Sequence, residues 1–249
     1  LIGYVENKRL DAGDVVTQIP VNDAVALNYQ SISREGKINM AFHQVFSQGA
    51  NSTYDAYMAD AKGVNVIAPT WFRVKDDEGT IENIAGTEYV TKAHNKGIEV
   101  WAVVTDVDYE VNIGSILSSS AKREAMITTL ISYAQQYDLD GINIDFETVG
   151  AEYGDDFVQF LRELSIQTHA NNIVLSVDNY APTASTMYYN RTEQGLVADY
   201  VVVMGYDEHW GGSQTAGSVA SINFVENGIQ KTMEEVLAYG RECEEKLER

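Results

Sequence analysis

The stretch LDGINIDFETV, residues 139–149, alternates between apolar and polar side chains and ends in acids. Successive side chains of a strand point to opposite faces, so Asn143, Asp145 and Glu147 share one face. Isoleucine and phenylalanine occupy the other face. Like charges on one strand face repel each other. The pattern therefore favours a strand whose acids serve a function over an edge strand that merely faces water.

Six apolar segments, this one included, are rich in valine and isoleucine. Near-continuous apolar runs are typical of parallel strands that are buried on both faces. The predicted strands are residues 38–46, 64–72, 98–104, 141–147, 172–180 and 200–210. Helical patterns separate the strands at residues 87–97, 121–137, 155–170 and 222–239. Ser120 is the predicted N-cap of the helix at residues 121–137.

Polar side chains follow every predicted strand. Strands alternating with helices give either a doubly wound sheet or a (β/α)8 barrel. The carboxyl ends of barrel strands build the active site, and six polar endings favour the barrel. No glycine-rich phosphate loop follows a strand, which argues against a nucleotide-binding sheet. The polar endings are Gln44, Trp71, Asp106, Asp145 with Glu147, Asp178 with Asn179, and Tyr206 with Asp207.

The composition narrows the class of protein. The chain has 249 residues, 45% of them hydrophobic, which is enough for one large domain or two small ones. Its formal charge of −20 argues against nucleic acid or an anionic membrane surface as a partner. No apolar segment reaches membrane-spanning length, so we expect no membrane insertion. The single cysteine, Cys243, excludes an intrachain disulfide framework and a cysteine metal site.

Asp145 and Glu147 allow three interpretations. Their backbones are about 6.6 Å apart on one strand face, and two carboxylates beside an apolar cleft are typical of glycoside cleavage. In that case Glu147 would be held protonated as the general acid. A Ca²⁺ or Mg²⁺ site that adds Asp140 and Asn143 is the second interpretation, and a buried structural acid pair is the third. Calcium ligands usually lie on turning loops rather than along a strand, so we predict neither metal nor cofactor.

Two motifs resemble a known family. DGINIDFE, residues 140–147, resembles the DxxDxDxE signature of glycoside hydrolase family 18, the chitinase-like (β/α)8 barrels, on their fourth strand. MGYDEHW, residues 204–210, is similar to that family's Met-x-Tyr-Asp stretch on the sixth strand. Both motifs fall on strands of the same index here. The Asn at position 143 makes the sequence look closest to the bacterial branch that includes spore-cortex-lytic N-acetylglucosaminidases, over about residues 37–236.

The resemblance implies a retaining reaction in which the substrate's own 2-acetamido group attacks the anomeric carbon. Glu147 would protonate the glycosidic oxygen, and Asp145 would hold the acetamido group. Tyr206 would hydrogen-bond the acetamido oxygen from the far side. The same resemblance places Asp207 in the wall of the pocket for that group and Met204 below the sugar. Asp140 would support the strand turn, and it is grouped with Asn143 among the predicted substrate-binding residues.

Further strand-end residues are predicted to contact the substrate. Trp71 and Trp210 would stack on sugar faces, with core packing as the alternative for each. Trp101 lies within a strand and is expected in the core. The predicted walls of the site are His43, Gln44, Asn179 and Tyr180.

Asn143 replaces an aspartate of the family signature, which keeps the size of the side chain and removes a charge. Neighbouring carboxylates raise one another's pKa. We therefore expect Asp145 to ionise more easily here than in a relative with aspartate at this position. We also expect the Asn143 amide to donate a hydrogen bond to the ionised Asp145.

The prediction for the whole chain is a (β/α)8 TIM barrel over residues 37–249, truncated after the sixth strand and its helix and so incomplete at the C-terminus. Residues 1–36 are predicted to be a linker or the tail of an upstream SH3-like module. The predicted function is hydrolysis of β-linked N-acetylglucosamine bonds in peptidoglycan or chitin-like glycans, outside a bacterial cell or at its envelope. A non-catalytic carbohydrate-binding barrel of the same fold is the alternative. The sequence predicts no oligomeric state.

Overall fold

The computed structural model describes residues 31–237, in which strands alternate with helices. The strands are β1 (Met40–His43), β2 (Val66–Pro69), β3 (Phe72–Val74), β4 (Ile81–Asn83), β5 (Glu99–Thr105), β6 (Gly141–Asp145), β7 (Val174–Tyr180) and β8 (Tyr200–Met204). The α-helices are α1 (Tyr54–Tyr57), α2 (Thr87–His94), α3 (Ile113–Leu117), α4 (Ser120–Tyr137), α5 (Gly154–Ala170), α6 (Arg191–Val197) and α7 (Ile222–Val236).

Six strands form one parallel sheet in the order β1-β2-β5-β6-β7-β8. The other two, β3 and β4, form an antiparallel hairpin, and β3 extends the sheet by pairing with β5. Within the described residues, β1 and β8 each pair with a single strand. The molecule is therefore an open arc of six parallel strands from a (β/α)8-type barrel, which confirms the predicted fold class.

All six predicted parallel strands and all four predicted helices are present. The sequence patterns missed the β3–β4 hairpin and the short helices α1, α3 and α6. Helices this short have little intrinsic stability and depend on tertiary packing, so they leave a weak sequence signal. The N-cap of α4 is Ser119, whose side chain accepts from the Lys122 amide, and not the predicted Ser120.

The pleat of β6 gives the strand two different faces. Ile142 and Ile144 are fully buried in the main apolar core outside the sheet. Phe146, which follows the strand, lies on the same side, where its ring centroid is 5.6 Å from that of Phe160 in α5. The opposite face, with Asn143 and Asp145, is turned to the inside of the arc, as the alternation predicts.

The inside of the arc is filled at its lower end by a second apolar cluster of Val66, Trp101 and Val174. The Trp101 ring lies directly on the backbone of Gly141, where an added Cβ would be 2.6 Å from the indole. A glycine is therefore required at the start of β6. Trp101 is 1% exposed, which confirms its predicted place in the core.

Residues just before β1 close this lower end. Arg34 forms an ion pair with Glu99 at 2.6 Å, and its amide donates to the Tyr200 hydroxyl at 2.7 Å. The Ile32 amide donates to Asp199 at 2.6 Å. Residues 31–36 therefore pack on the barrel. The rest of the predicted linker or SH3-like tail, residues 1–30, lies outside the described residues, as do residues 238–249.

Two histidine–aspartate pairs repeat at the same end. Asp140 accepts from the Val100 amide and from His94 Nε2, both at 2.8 Å. Asp199 accepts from the Leu175 amide at 2.8 Å and from His169 Nε2 at 2.9 Å. Each pair ties the end of a helix to the beginnings of two neighbouring strands.

The position of Asp140 corrects its predicted role as a substrate-binding residue. Asp140 precedes β6, whereas Asp145 ends it, and five residues of strand span about 16 Å. The two carboxyl groups therefore lie at opposite ends of the strand. Asp140 supports the fold through its hydrogen bonds to His94 and Val100.

We expect Asp140→Asn to lower the free energy of unfolding by about 1–2 kcal/mol, because the hydrogen bonds to a carboxylate are replaced by weaker ones. Urea unfolding measures the loss. Asp138→Asn is the matched control, because the Asp138 side chain is 94% exposed and lies 3.8 Å from the same histidine. Equal stability of the two variants would contradict a supporting role for Asp140.

Candidate active site

Four carboxyl groups meet at the carboxyl ends of the central strands. Asp106 follows β5, Asp145 ends β6, Glu147 lies two residues beyond, and Asp178 lies in β7. The β6–β7 register pairs Ile144 with Val177, which places Asp145 beside Asp178 on the neighbouring strand. The acidic strand endings of β5, β6 and β7 that the sequence indicated are therefore brought together by the parallel sheet.

Asp106 holds the chain that follows β6. It is 1% exposed and accepts hydrogen bonds from the amides of Glu147 at 2.8 Å and Thr148 at 3.1 Å. The Thr148 hydroxyl donates to the same carboxyl at 2.7 Å. Burial raises the pKa of Asp106, and these three donors oppose that rise. Asp106 thus fixes the backbone from which the Glu147 side chain leaves.

The Tyr180 hydroxyl donates to Glu147 Oε2 at 2.6 Å, so the side chain of Glu147 is also held in place. Burial and the bond to Glu147 raise the pKa of Tyr180, which keeps its phenol a donor. The backbone behind Glu147 is fixed as well, because Tyr189 donates to the Phe146 carbonyl at 2.9 Å. Glu147 itself is partly exposed and so remains accessible from the cleft.

Asp145 is strongly perturbed. Burial raises its pKa to about 7, with further contributions from the charges of Glu147 and Asp106. Its Oδ1 atom is buried and has no hydrogen-bond partner among the described residues. A carboxyl with an elevated pKa and one unsatisfied oxygen is typical of a functional site.

Asn143 does not donate to Asp145, which corrects the prediction. Its Nδ2 group donates both hydrogens to β7, to the hydroxyl of Ser176 and to Oδ1 of Asp178, each at 2.9 Å. Asn143 is fully buried, so a substrate does not reach its side chain in this structure. The side chain couples β6 to β7 rather than one acid of β6 to the next.

A cleft of about 430 Å³ is linked to the site through Tyr180, which lines the cleft and donates to Glu147. Tyr206 lines it and is 53% exposed; burial of its hydroxyl and the charges of Asp145 and Glu147 raise its pKa to about 12. Asp207 has φ of 61°, a left-handed conformation that aspartate tolerates better than most residues. Further residues in the cleft wall are Met204 and Trp210, the last with 66% of its surface exposed.

Three predicted site residues lie elsewhere. Trp71 is fully buried, where it donates to Asn51 at 2.7 Å, so it packs in the core and offers no face to a sugar. Asn179 is fully buried on the outer face of β7 and donates to Gln194 of α6 at 2.6 Å. His43 is buried against Tyr89.

Gln44 is exposed just beyond the carboxyl end of β1. Because side chains alternate along a strand, Gln44 follows the buried, outward-facing His43 and belongs to the opposite side of the sheet. Gln44 therefore lies on the side of the sheet that faces the inside of the arc, and its predicted place in the wall of the site stays a prediction.

The metal interpretation of the strand motif requires four ligands that the fold does not bring together, because Asp140 lies at the other end of β6. In residues 31–237 no group of three or more histidine, cysteine, aspartate or glutamate side chains is arranged to hold a metal ion. None of the helices in the described part of the chain has the length and apolar content to cross a bilayer.

Comparison with known proteins identifies a family and several relatives. The model of the glycosyl hydrolases family 18 matches residues 11–247. The chain is 28% identical over 207 residues to the uncharacterized glycosylase YvbX of Bacillus subtilis (strain 168), a match covering 78% of this chain and 59% of that protein. It is 27% identical over 153 residues to the cortical fragment-lytic enzyme of Bacillus anthracis, covering 57% and 35%. The chain thus spans about three fifths of the first relative and about one third of the second.

Solved structures share the fold. The chitinase from Chromobacterium violaceum ATCC 12472 superposes with a TM-score of 0.68 at 21% identity, over 80% of this chain and 65% of that chain. The spore cortex-lytic enzyme SleL of Bacillus cereus superposes with a TM-score of 0.65 at 22% identity, over 79% and 47%. Likeness at this level of identity establishes the barrel and leaves the reaction to be argued from the site.

The raised pKa of Asp145 predicts a pH-dependent stability. The folded protein keeps the Asp145 proton up to a higher pH than the unfolded chain, so this group lowers the unfolding free energy as pH rises from about 4 to about 7. We expect Asp145→Asn to raise that free energy by about 1–3 kcal/mol near pH 8, a range reduced for the partial exposure of the carboxyl. Near pH 3.5 we expect about no change.

Urea unfolding at the two pH values is the measurement. Asp60→Asn serves as control, because Asp60 is exposed and distant in sequence from the four acids. An Asp145→Asn variant that is destabilised near pH 8 would contradict the elevated pKa.

Proposed function

The chain belongs to glycosyl hydrolases family 18, and from its membership we propose that it cleaves β-linked N-acetylglucosamine bonds with retention and with assistance from the substrate. The observation that carries this proposal is the geometry of Glu147. Its backbone is fixed by Asp106 and its partly exposed carboxyl by Tyr180, a residue that also lines the open cleft. A general acid needs this combination of fixed direction and access to the substrate.

Glu147 is the proposed general acid. The carbonyl oxygen of the 2-acetamido group attacks the anomeric carbon, the bond to the leaving oxygen breaks, and Glu147 gives its proton to that oxygen. Water then attacks the anomeric carbon of the cyclic intermediate, the bond from that carbon to the acetamido oxygen breaks, and the water gives a proton back to Glu147. The protein forms no covalent bond to the sugar in this sequence of steps.

Asp145 and Tyr206 are proposed to hold the acetamido group. Asp145 is partly exposed, and its Oδ2, the carboxylate oxygen outside the buried unpartnered set, can accept from the amide N–H of the sugar. The Tyr206 hydroxyl, whose raised pKa keeps it a donor, suits the acetamido oxygen. The same contacts would stabilise the positive charge that develops on the acetamido group in the transition state.

The remaining residues of the cleft suit a sugar ring. Trp210 exposes most of its aromatic surface, and such surfaces stack on sugar faces; Met204 and Asp207 complete the proposed pocket.

Peptidoglycan is the proposed natural substrate, with chitin-like glycans as the second choice. Support comes from the relative named as a cortical fragment-lytic enzyme and from the fold shared with a spore cortex-lytic enzyme. The chitinase neighbours support the same N-acetylglucosamine unit in another polymer. Action on these polymers places the protein outside the cell or at its envelope.

We expect Glu147→Gln in the full-length protein to lower kcat by about 10²–10⁴-fold and to leave sugar binding within about threefold, because only proton transfer is removed. Hydrolysis of a chromogenic N-acetylglucosamine glycoside and calorimetric titration with an N-acetylglucosamine oligomer measure the two effects. Glu152→Gln is the matched control, since Glu152 is exposed and lies five residues further along the chain. Turnover near the wild-type value would refute the assignment, and binding without turnover in the wild type would support the non-catalytic alternative.

Substrate assistance predicts that glycosides lacking the 2-acetamido group bind but are cleaved at least about 10³-fold more slowly, because the nucleophile is missing. A thiazoline mimic of the cyclic intermediate should bind at least about 10²-fold more tightly than the substrate. Kinetics with matched glucose and N-acetylglucosamine glycosides make the comparison. Mass spectrometric detection of a sugar bound covalently to Asp145 would contradict the mechanism.

A further inference from the structure

The four acids of the site have no cationic partner. Among residues 31–237, no lysine, arginine or histidine forms an ion pair with Asp106, Asp145, Glu147 or Asp178. Carboxylates that share a buried site cannot all be ionised at neutral pH, because each charge opposes the next. At least one of the four must therefore hold a proton.

Asp178 is a deeply buried acid on the strand next to Asp145, and its hydrogen bonding distinguishes its two oxygens. It is 3% exposed, and its Oδ1 accepts from Asn143. Both amide hydrogens of Asn143 are already used, one of them by Ser176. A proton on Asp178 therefore belongs on Oδ2, the oxygen that Asn143 leaves free.

Asp145 offers a matching acceptor. The strand register puts it next to Asp178, and neighbouring strands are about 4.8 Å apart. Its Oδ1 is buried without a partner among the described residues. A buried oxygen in this position is strongly stabilised by any donor that reaches it.

We propose that Asp178 is a positioning residue that keeps a proton at neutral pH and donates it from Oδ2 to Asp145, so that Asp145 is held in the direction needed for the substrate. The effect on the sugar rests on the proposed function. The pairing of the two aspartates rests only on the contacts of Asn143 and on the strand register.

The surroundings of Asp178 favour the protonated form. Asp145 and Glu147 face it from β6 and the residues beyond, Tyr206 faces it from the segment after β8, and Tyr180 shares its strand. The charges of the two acids and burial all raise the pKa of Asp178, and the Asn143 hydrogen bond is the single effect that lowers it. Position 143 of β6 carries the neutral Asn143. The carboxyl group directly beside Asp145 is therefore that of Asp178 on β7.

The first test observes protonation directly. The full-length protein, labelled with ¹³C at its aspartate carboxyl groups, is titrated by NMR as wild type, Asp178→Asn and Asp145→Asn. We expect one carboxyl to remain protonated through neutral pH in the wild type and its signal to be absent from Asp178→Asn. An Asp178 signal that titrates near the ordinary value of about 4 would overturn the proposal.

Ser176→Ala is the control for this titration. It removes the other acceptor of the Asn143 amide and leaves both aspartates in place. We expect the protonated carboxyl signal to persist in Ser176→Ala. Its loss there would show that the signal reports the general packing between β6 and β7, and would also overturn the assignment to the pairing of Asp178 with Asp145.

The second test uses turnover. Asp178→Val keeps the size of the side chain but removes the donor, so we expect kcat to fall by about 10–100-fold with a smaller change in KM. Asp178→Asn should recover most of this loss, because its Nδ2 group can donate to Asp145 in place of the acid. Equal turnover in the two variants would overturn the proposal.

The two tests separate the proposal from the proposed function. If the wild type cleaves no N-acetylglucosamine glycoside, the proposed function fails, whereas the NMR titration still decides whether Asp178 holds the proton. If Asp178→Val does not fold, the nearly isosteric Asp178→Asn and its titration decide the question.

Discussion

The pleat of β6 is the constraint on which the rest of the structure depends. One face of this strand must pack against α5 through Ile144 and the following Phe146, and the other must carry Asn143 and Asp145 into the arc. A slip of one residue would bury the acids among aromatic rings and expose the isoleucines, a change that costs far more than the protein's whole stability. Trp101, seated on Gly141, fixes the register from below. The register of β6 therefore determines both the packing of the fold and the position of the site residues.

The upper end of the arc concentrates negative charge. Within residues 31–237 no cationic side chain forms an ion pair with the four acids, so neutral hydrogen-bond donors stabilise them. Asp106 accepts three hydrogen bonds, Glu147 accepts from Tyr180, and Asp178 accepts from Asn143. Of the four acids, Asp145 is the one that keeps a buried oxygen without a partner among the described residues, and on the same strand face the Asn143 amide oxygen is also buried and unpartnered. Such an unsatisfied group lowers stability, and the apolar core on the outer side of the sheet offsets that cost. The group that the fold leaves least satisfied is the one with most to gain from a substrate.

Much of this could be predicted from the sequence, because strand runs and alternation are local signals. The six strands and the inward direction of Asp145 follow from them. The contacts that hold the site are different in kind: Asp106 reaches Glu147 across 41 residues and Tyr180 reaches it across 33. No local pattern encodes such pairs. Asn179 is predicted in the site because it lies near a strand end, although alternation puts it on the face opposite Asp178. For Trp71 the sequence leaves sugar stacking and core packing open, because an aromatic ring at a strand end suits both, and the structure shows core packing.

The two ends of β6 show how the same residue type acquires different roles. At the lower end Asp140 accepts from a histidine and an amide, and Asp199 repeats the arrangement one helix–strand unit further on. These acids are satisfied, and their contribution is to stability. At the upper end, Asp145 receives none of the five hydrogen bonds that the described residues donate to the other three acids. Both ends of the DGINIDFE stretch carry an aspartate, so the residue type alone does not distinguish the two roles. A supporting aspartate differs from a reactive one in the number of hydrogen-bond donors that the neighbouring strands supply.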